Sequence, residues 1–196
     1  MKLSWVVNRV FSSRTYLLET EKEAWLVDCG DWEKLLQDGD LPLRGVLLTH
    51  VHYDHIYGIP GLLERFPECR IYTNAAGVEA FASPKNNMSR YHDDPITLDA
   101  ARLTLVGEGD RIPLAPGLEA EVFETPGHNP SCLTYRVADL LFTGDSYIPG
   151  EKVVTTLPGG DKPLAAASLE RILRLADGLQ LCPGHEIWAP GVISIK

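Results

Sequence analysis

The first third of the chain alternates short apolar runs with turns. Leu3–Val10, Arg14–Thr20 and Ala24–Asp28 are rich in Val, Leu, Trp and Tyr, which suit a pleated, half-buried surface, and they read as strands. Glu21, Lys22 and Glu23 fit a tight turn between the second and third. Gly45–Thr49 is nearly all apolar, as expected of a strand buried on both faces. From about residue 58 to 82 the spacing turns helical. Leu62, Leu63 and Phe66 share a face, Ile71–Thr73 interrupts as a strand, and Asn74 is placed to cap a following helix.

Ser83–Asp99 is polar and irregular, and it holds Asn86, Asn87, His92, Asp93 and Asp94. It reads as a long loop, a feature that in compact domains is often functional. Strands resume at Arg102–Val106, Leu118–Glu124, Cys132–Val137 and Leu140–Thr143. One helix then stands out, Leu164–Asp177, with Leu169, Ile172, Leu173 and Ala176 on one face and Gly178 as its stop. A last strand, Leu179–Cys182, follows. The pattern is α/β (α+β). Two sheets with helices outside would accommodate it, and so would several other arrangements.

At 196 residues with 44% hydrophobic content, the expectation is one domain over residues 1–196. The N-terminus carries no leader-like apolar stretch, and no run approaches a membrane span, so the chain reads as cytoplasmic with no membrane partner. A net charge of −9 without a basic run argues against a nucleic-acid partner and leaves a small-molecule substrate. Cys29, Cys69, Cys132 and Cys182 are scattered and form no CxxC pair, so no disulfide framework is expected. Cys182 lies three residues before His185 but ends an apolar run, which suits a buried structural thiol.

Histidine changes the picture. Thr49-His50-Val51-His52-Tyr53-Asp54-His55 is an HxHxDH motif placed directly after an apolar strand. A strand ending in an abrupt turn can aim His50 and His52 at one point and Asp54 and His55 at a neighbouring one. Imidazole nitrogen with carboxylate oxygen suits zinc, and also manganese or iron. Four ligands alone would also describe a single structural site. Three more segments end strands in the same manner: Thr125-Pro126-Gly127-His128, Phe142-Thr143-Gly144-Asp145 and Cys182-Pro183-Gly184-His185. Each taken singly is an ordinary turn. Together and in this order they are specific.

These four segments resemble the metallo-β-lactamase superfamily, over a stretch from about Trp25 to Trp188. The resemblance implies an αββα sandwich of two mixed sheets with metals at one edge. It implies two divalent metal ions, zinc first, with Fe or Mn as alternatives. On matching positions it implies that His50, His52 and His128 hold one ion, that Asp54, His55 and His185 hold the other, and that Asp145 bridges them. Asp28, at the early strand end Val27-Asp28-Cys29-Gly30, would support the metal loops from behind. His92 matches no ligand motif and is expected to be a solvated loop residue, with a role in covering substrate as the alternative.

Such a cluster suits hydrolysis, since zinc lowers the pKa of water to about 7. Asp54 is the expected catalytic residue, orienting the nucleophile and carrying a proton. The ligand pattern resembles glyoxalase II, a thioesterase, most closely. The chain departs from it at Ile187, where that pattern has a tyrosine, and the stretch after Asp145 leaves no expected room for a glutathione-binding helical domain. Alternatives are a lactonase or phosphodiesterase of the same fold, an iron-dependent sulfur dioxygenase, and a non-catalytic metal-binding protein. Tyr147 and Lys152 are candidate substrate contacts, with Lys162 behind them, although packing and plain surface roles fit them as well.

Overall fold

The computed structural model describes residues 1–36 and 41–186. The elements run in two halves. The first contains β1 (Lys2–Val7), β2 (Arg14–Glu19), β3 (Ala24–Val27), β4 (Leu43–Leu47), β5 (Arg70–Thr73) and β6 (Leu103–Leu105), joined through helices α1 (Tyr53–Ile56), α2 (Ile59–Arg65) and α3 (Ala75–Phe81). The second contains β7 (Arg111–Ala115), β8 (Leu118–Glu124), β9 (Leu133–Val137), β10 (Leu140–Gly144), α4 (Lys162–Leu175) and β11 (Gln180–Pro183). The strands form a six-stranded sheet ordered β1-β2-β3-β4-β5-β6 and a five-stranded sheet ordered β11-β10-β9-β8-β7. Both sheets are mixed: β3 to β6 pair in parallel, as do β10 and β11, and the other pairs are antiparallel.

Side-chain alternation sorts the core into two layers. Leu17 of β2, Ala24 and Leu26 of β3, and Val46 of β4 face Ile56, Ile59, Leu62 and Phe81 from the helical side. Their neighbours Tyr16, Leu18, Trp25, Val27 and Leu47 point the other way, into a second cluster with Val122, Tyr135, Val137 and Phe142 of the other sheet. A strand whose two faces are both buried must be apolar on both, which is why β3 reads as an unbroken run. α4 lies on the second half of the chain and buries Ala165, Ser168 and Ile172.

Most expected elements are present with shifted ends. β1 stops at Val7 rather than Val10, because Phe11 and Ser12 adopt left-handed backbone conformations (φ 51° and 56°) in the turn that follows. α4 starts at Lys162, where Asp161 accepts a hydrogen bond from the Leu164 amide at 2.9 Å and Pro163 occupies the first turn. Asn74 caps α3 as expected, accepting from the Gly77 amide at 2.9 Å. β7 was not expected: only Ile112 and Leu114 alternate inward, and Pro113 between them weakens the strand signal. The Ser83–Asp99 loop holds a short 3-10 turn, Ser89–Tyr91. It is pinned by Asn87 donating to the Ile96 carbonyl at 2.8 Å and the Ile96 amide donating to Ser89 at 2.8 Å. Ile187 and Trp188 lie outside the described residues. Among the described residues no helix is long and apolar enough to cross a membrane.

One contact ties the two sheets beneath the loop that carries the histidine motif. The fully buried Tyr135 hydroxyl donates to the Leu48 carbonyl at 2.9 Å. Tyr135→Phe keeps the ring and leaves that carbonyl unpaired, so stability should fall by about 1 kcal/mol. In a domain of this size that lowers the melting temperature by about 2–4 °C. A calorimetric scan showing no fall would mean that the bond adds nothing.

Candidate metal centre

The site is assembled at one edge of the sandwich, where β3, β4, β8, β10 and β11 end. Asp28 follows β3 in a left-handed conformation (φ 58°), unfavourable for a residue with a side chain. Its buried carboxylate accepts from the Thr49 amide and the Thr49 hydroxyl, each at 2.8 Å, and faces His55 Nδ1 at 2.8 Å. Strand end and histidine loop are thereby locked together. Residue 52 then caps the single-turn helix α1, which turns Asp54 and His55 back toward His50. The Ser13 hydroxyl donates to the Asp54 carbonyl at 2.7 Å, and the Cys29 amide donates to the His55 carbonyl at 2.8 Å.

Each imidazole is also held by an atom on its far side. His128 Nδ1 donates to the Val154 carbonyl at 2.8 Å, and His185 Nδ1 to the Phe11 carbonyl at 2.9 Å. His52 Nε2 lies 3.0 Å from Asn129 Nδ2, and His50 Nδ1 lies 3.3 Å from the Thr49 hydroxyl. With outer nitrogens engaged, the inner ones converge. His50, His52 and His128 bring ligand atoms within 4.8 Å of one another, as do His50, His55 and Asp145, and Asp54, His55 and His185. Asp145 reaches across the groups: Oδ1 lies 3.5 Å from His55, and Oδ2 lies 3.5 Å from His128 and 3.3 Å from His185. Gly184 has no alternative here, since a Cβ would sit 2.2 Å from Asp145 Oδ1.

The donor set fits a metal. His50 Nε2 and Asp145 Oδ1 are buried without a hydrogen-bond partner, a costly arrangement for polar atoms unless a cation satisfies them. Outer hydrogen bonds that fix each imidazole are the usual support of metal-ligating histidine. Charge is divided unevenly. Burial, then repulsion from His55, holds His50 well below the usual histidine range, and burial and His128 bring His52 down to about 4. Burial opposes a charge on His185, yet hydrogen bonds to Asp145 and Asp54 raise it to about 9. Burial likewise lifts Asp145, but His55 and His185 outweigh it and keep the carboxyl well below the usual carboxylate range. Among these groups the residues carry divalent-metal chemistry.

All seven sequence-predicted ligands therefore meet, and Asp28 stands behind them. Cys182 is buried in the core between the sheets, with its thiol pushed up to about 12 by burial, as a structural thiol should be. Tyr147 lies with Lys152 in a groove against Ala165 and Leu169, away from the cavity over the histidines. Lys152 is exposed and borders a small cleft beside His128 and Asp145, while Lys162 is exposed at the start of α4. His92 is not a solvated loop residue: it is half-buried and stacked on Tyr53 with ring centroids 3.6 Å apart. Sequence reasoning missed Asn129, whose Oδ1 accepts from Ser131 N and Oγ at 2.9 and 2.7 Å while its Nδ2 holds His52. Its only signal was an Asn-Pro pair beside His128, which reads as an ordinary turn.

Comparison with known proteins agrees with this fold. A curated hydroxyacylglutathione hydrolase of Xylella fastidiosa (strain 9a5c) is 35% identical over 173 residues, covering 87% of this chain and 58% of the relative. The chain thus spans little more than half the length of that relative. The crystal structure of BLEG-1, a B3 metallo-beta-lactamase, superposes with a TM-score of 0.84 at 28% identity, covering 95% of this chain and 92% of that one. TTHA1623, solved in a di-iron-bound form, gives 0.79 at 26% identity, covering 94% and 92%. The model of the metallo-beta-lactamase superfamily matches residues 8–185, a stretch that includes all seven clustered side chains, and the protein belongs to that superfamily.

Proposed function

We propose that this single-domain chain is a two-metal hydrolase of small thioesters and esters. His50, His52 and His128 would hold one ion, Asp54, His55 and His185 the second, and Asp145 would serve both. Zinc is the metal proposed first, and the imidazole and carboxylate donors suit iron or manganese as well. The observation that carries the reading is the pair of buried, unpartnered atoms, His50 Nε2 and Asp145 Oδ1, at the meeting point of five anchored imidazoles and two carboxylates. The thioester preference draws on the likeness to hydroxyacylglutathione hydrolase.

Bound divalent ions supply Lewis acidity and acidify coordinated water. The chain's own residues do the rest. Asp54 lines the open cavity, and His55 and His185 hold its carboxyl in the ionised form against the effect of burial. As a carboxylate it accepts a hydrogen bond from the attacking water, aims it at the thioester carbonyl, and receives the proton at Oδ1, since Oδ2 faces His55 and His185 at 3.3 Å each. The C–O bond forms, the C–S bond breaks, and the departing thiolate takes up the proton. Asp28 fixes His55 and Thr49 and acts as a positioning residue. Asn129 does the same for His52.

Three outcomes follow from these roles. Asp54→Ala should lower kcat/KM for a thioester such as lactoylglutathione by about 10²–10⁴ while circular dichroism stays native; wild-type turnover would sink the mechanism. Asp28→Asn should weaken zinc binding by about 10–100-fold in a competition titration with a coloured chelator, and unaltered affinity would remove Asp28 from its supporting role. Stripping the metals with a chelator should lower the melting temperature by about 8–16 °C, corresponding to about 4 kcal/mol for a metal present at about 1,000 times its dissociation constant. Readdition of zinc should restore it; a melting temperature indifferent to chelation would contradict a metal site.

A further inference from the structure

A cavity of about 530 Å³ opens over the clustered ligands, a size suited to a small molecule. Its floor holds Asp54, Asp145 and three of the histidines. Its walls are of another character: Phe11, Tyr53, Tyr91 and His92 on one side, with Met88, Val154 and Leu157 completing the lining. Phe11 is 71% and Tyr91 63% exposed, so these rings are presented at the mouth of the site instead of being buried in the core.

The rings are organised. His92 stacks on Tyr53 with centroids 3.6 Å apart and planes within 10°, and it meets Phe11 edge-on at 6.2 Å and 69°. Tyr53 stands between His52 and Asp54 in the ligand motif, so the wall is joined directly to the site. Phe11 is fixed to it as well, because its carbonyl accepts from His185 Nδ1. Phe11 and Met88 both hold left-handed backbone conformations (φ 51° and 66°), and such conformations in bulky residues gather where function requires them.

The wall also lacks a feature. No lysine or arginine lines the cavity among the described residues; Arg90 lies 5.6 Å over the Tyr91 ring but is not part of the lining. Asp93 and Asp94, both exposed, follow His92 directly. Bound cations would lie at the floor, and the described side chains that line the wall include no cationic partner for an anionic group. Glutathione, with two carboxylates, is a poor match for such a surface; a flat uncharged ring is a good one.

We infer that the cavity selects uncharged substrates bearing a planar aromatic group, which docks on the Phe11–His92–Tyr53 wall with the scissile carbonyl directed toward Asp54. This rests on the hydrolase reading above for its chemistry and on the ring geometry for its specificity.

The test uses three thioesters with the zinc-loaded protein: benzoyl and acetyl thioesters of N-acetylcysteamine, and lactoylglutathione. It is paired with a binding measurement that needs no turnover, calorimetric titration of the neutral thioether S-benzyl-N-acetylcysteamine, against its S-methyl counterpart, into metal-free protein. The benzoyl thioester should exceed both others in kcat/KM by about tenfold, and the benzyl thioether should bind tighter than the methyl. His92→Ala should weaken benzyl thioether binding about fivefold and raise KM for the benzoyl thioester to match, with kcat changed less than about twofold, and His92→Phe should restore both. Equal binding of the two thioethers, wild-type binding by His92→Ala, or a preference for lactoylglutathione would overturn the inference. Hydrolysis that depends on Asp54 but ignores the aromatic group would overturn this inference alone. Tight benzyl thioether binding without hydrolysis of any thioester would instead overturn the hydrolase reading and leave the aromatic site standing.

Discussion

Asp28 holds the candidate metal centre together. Five imidazoles and two carboxylates crowd into one corner of the fold, and nothing in a hydrophobic core would keep them converged. The Asp28 carboxylate binds the Thr49 amide and hydroxyl at the end of one strand and the His55 ring beyond it. To reach them its own backbone takes a left-handed conformation. A buried carboxylate with both oxygens hydrogen-bonded is stable where an unpaired one would not be. The local strain at Asp28 is offset by three contacts that order the whole HxHxDH loop.

The rest of the site repeats this logic through main-chain carbonyls. Val154 anchors His128 and Phe11 anchors His185, so segments distant in sequence decide where these two rings point. The second sheet supplies the other half: β8, β10 and β11 each end in a turn that delivers one candidate ligand, and the close passage of Gly184 by Asp145 brings two of these ends together. Packing of the two sheets through Tyr16, Trp25, Tyr135 and Phe142 therefore sets the distance between the two sets of ligands.

Much of this could be read from the sequence, and for identifiable reasons. His50, His52, Asp54 and His55 lie within six residues, so their spacing shows directly that they share one corner of the fold. His128, Asp145 and His185 are scattered, but each ends a strand in a glycine-bearing turn, and the repeated context made them legible. β7 was not legible, because two inward residues around a proline carry too little periodicity. The ring wall was hidden for a different reason. Phe11, Tyr53 and His92 are far apart in sequence, and only the fold of the Ser83–Asp99 loop sets His92 on Tyr53. Anchoring by the carbonyls of Phe11 and Val154 was equally invisible, since every residue carries a carbonyl and side-chain identity says nothing about it.

The most direct test of the central claim is anomalous X-ray diffraction from crystals of the zinc-loaded protein, collected on both sides of the zinc absorption edge. The account predicts two zinc peaks in each chain, one ligated by His50, His52 and His128 and the other by Asp54, His55 and His185, with Asp145 touching both. A single peak, or zinc bound away from these residues while they remain hydrogen-bonded to one another, would contradict it.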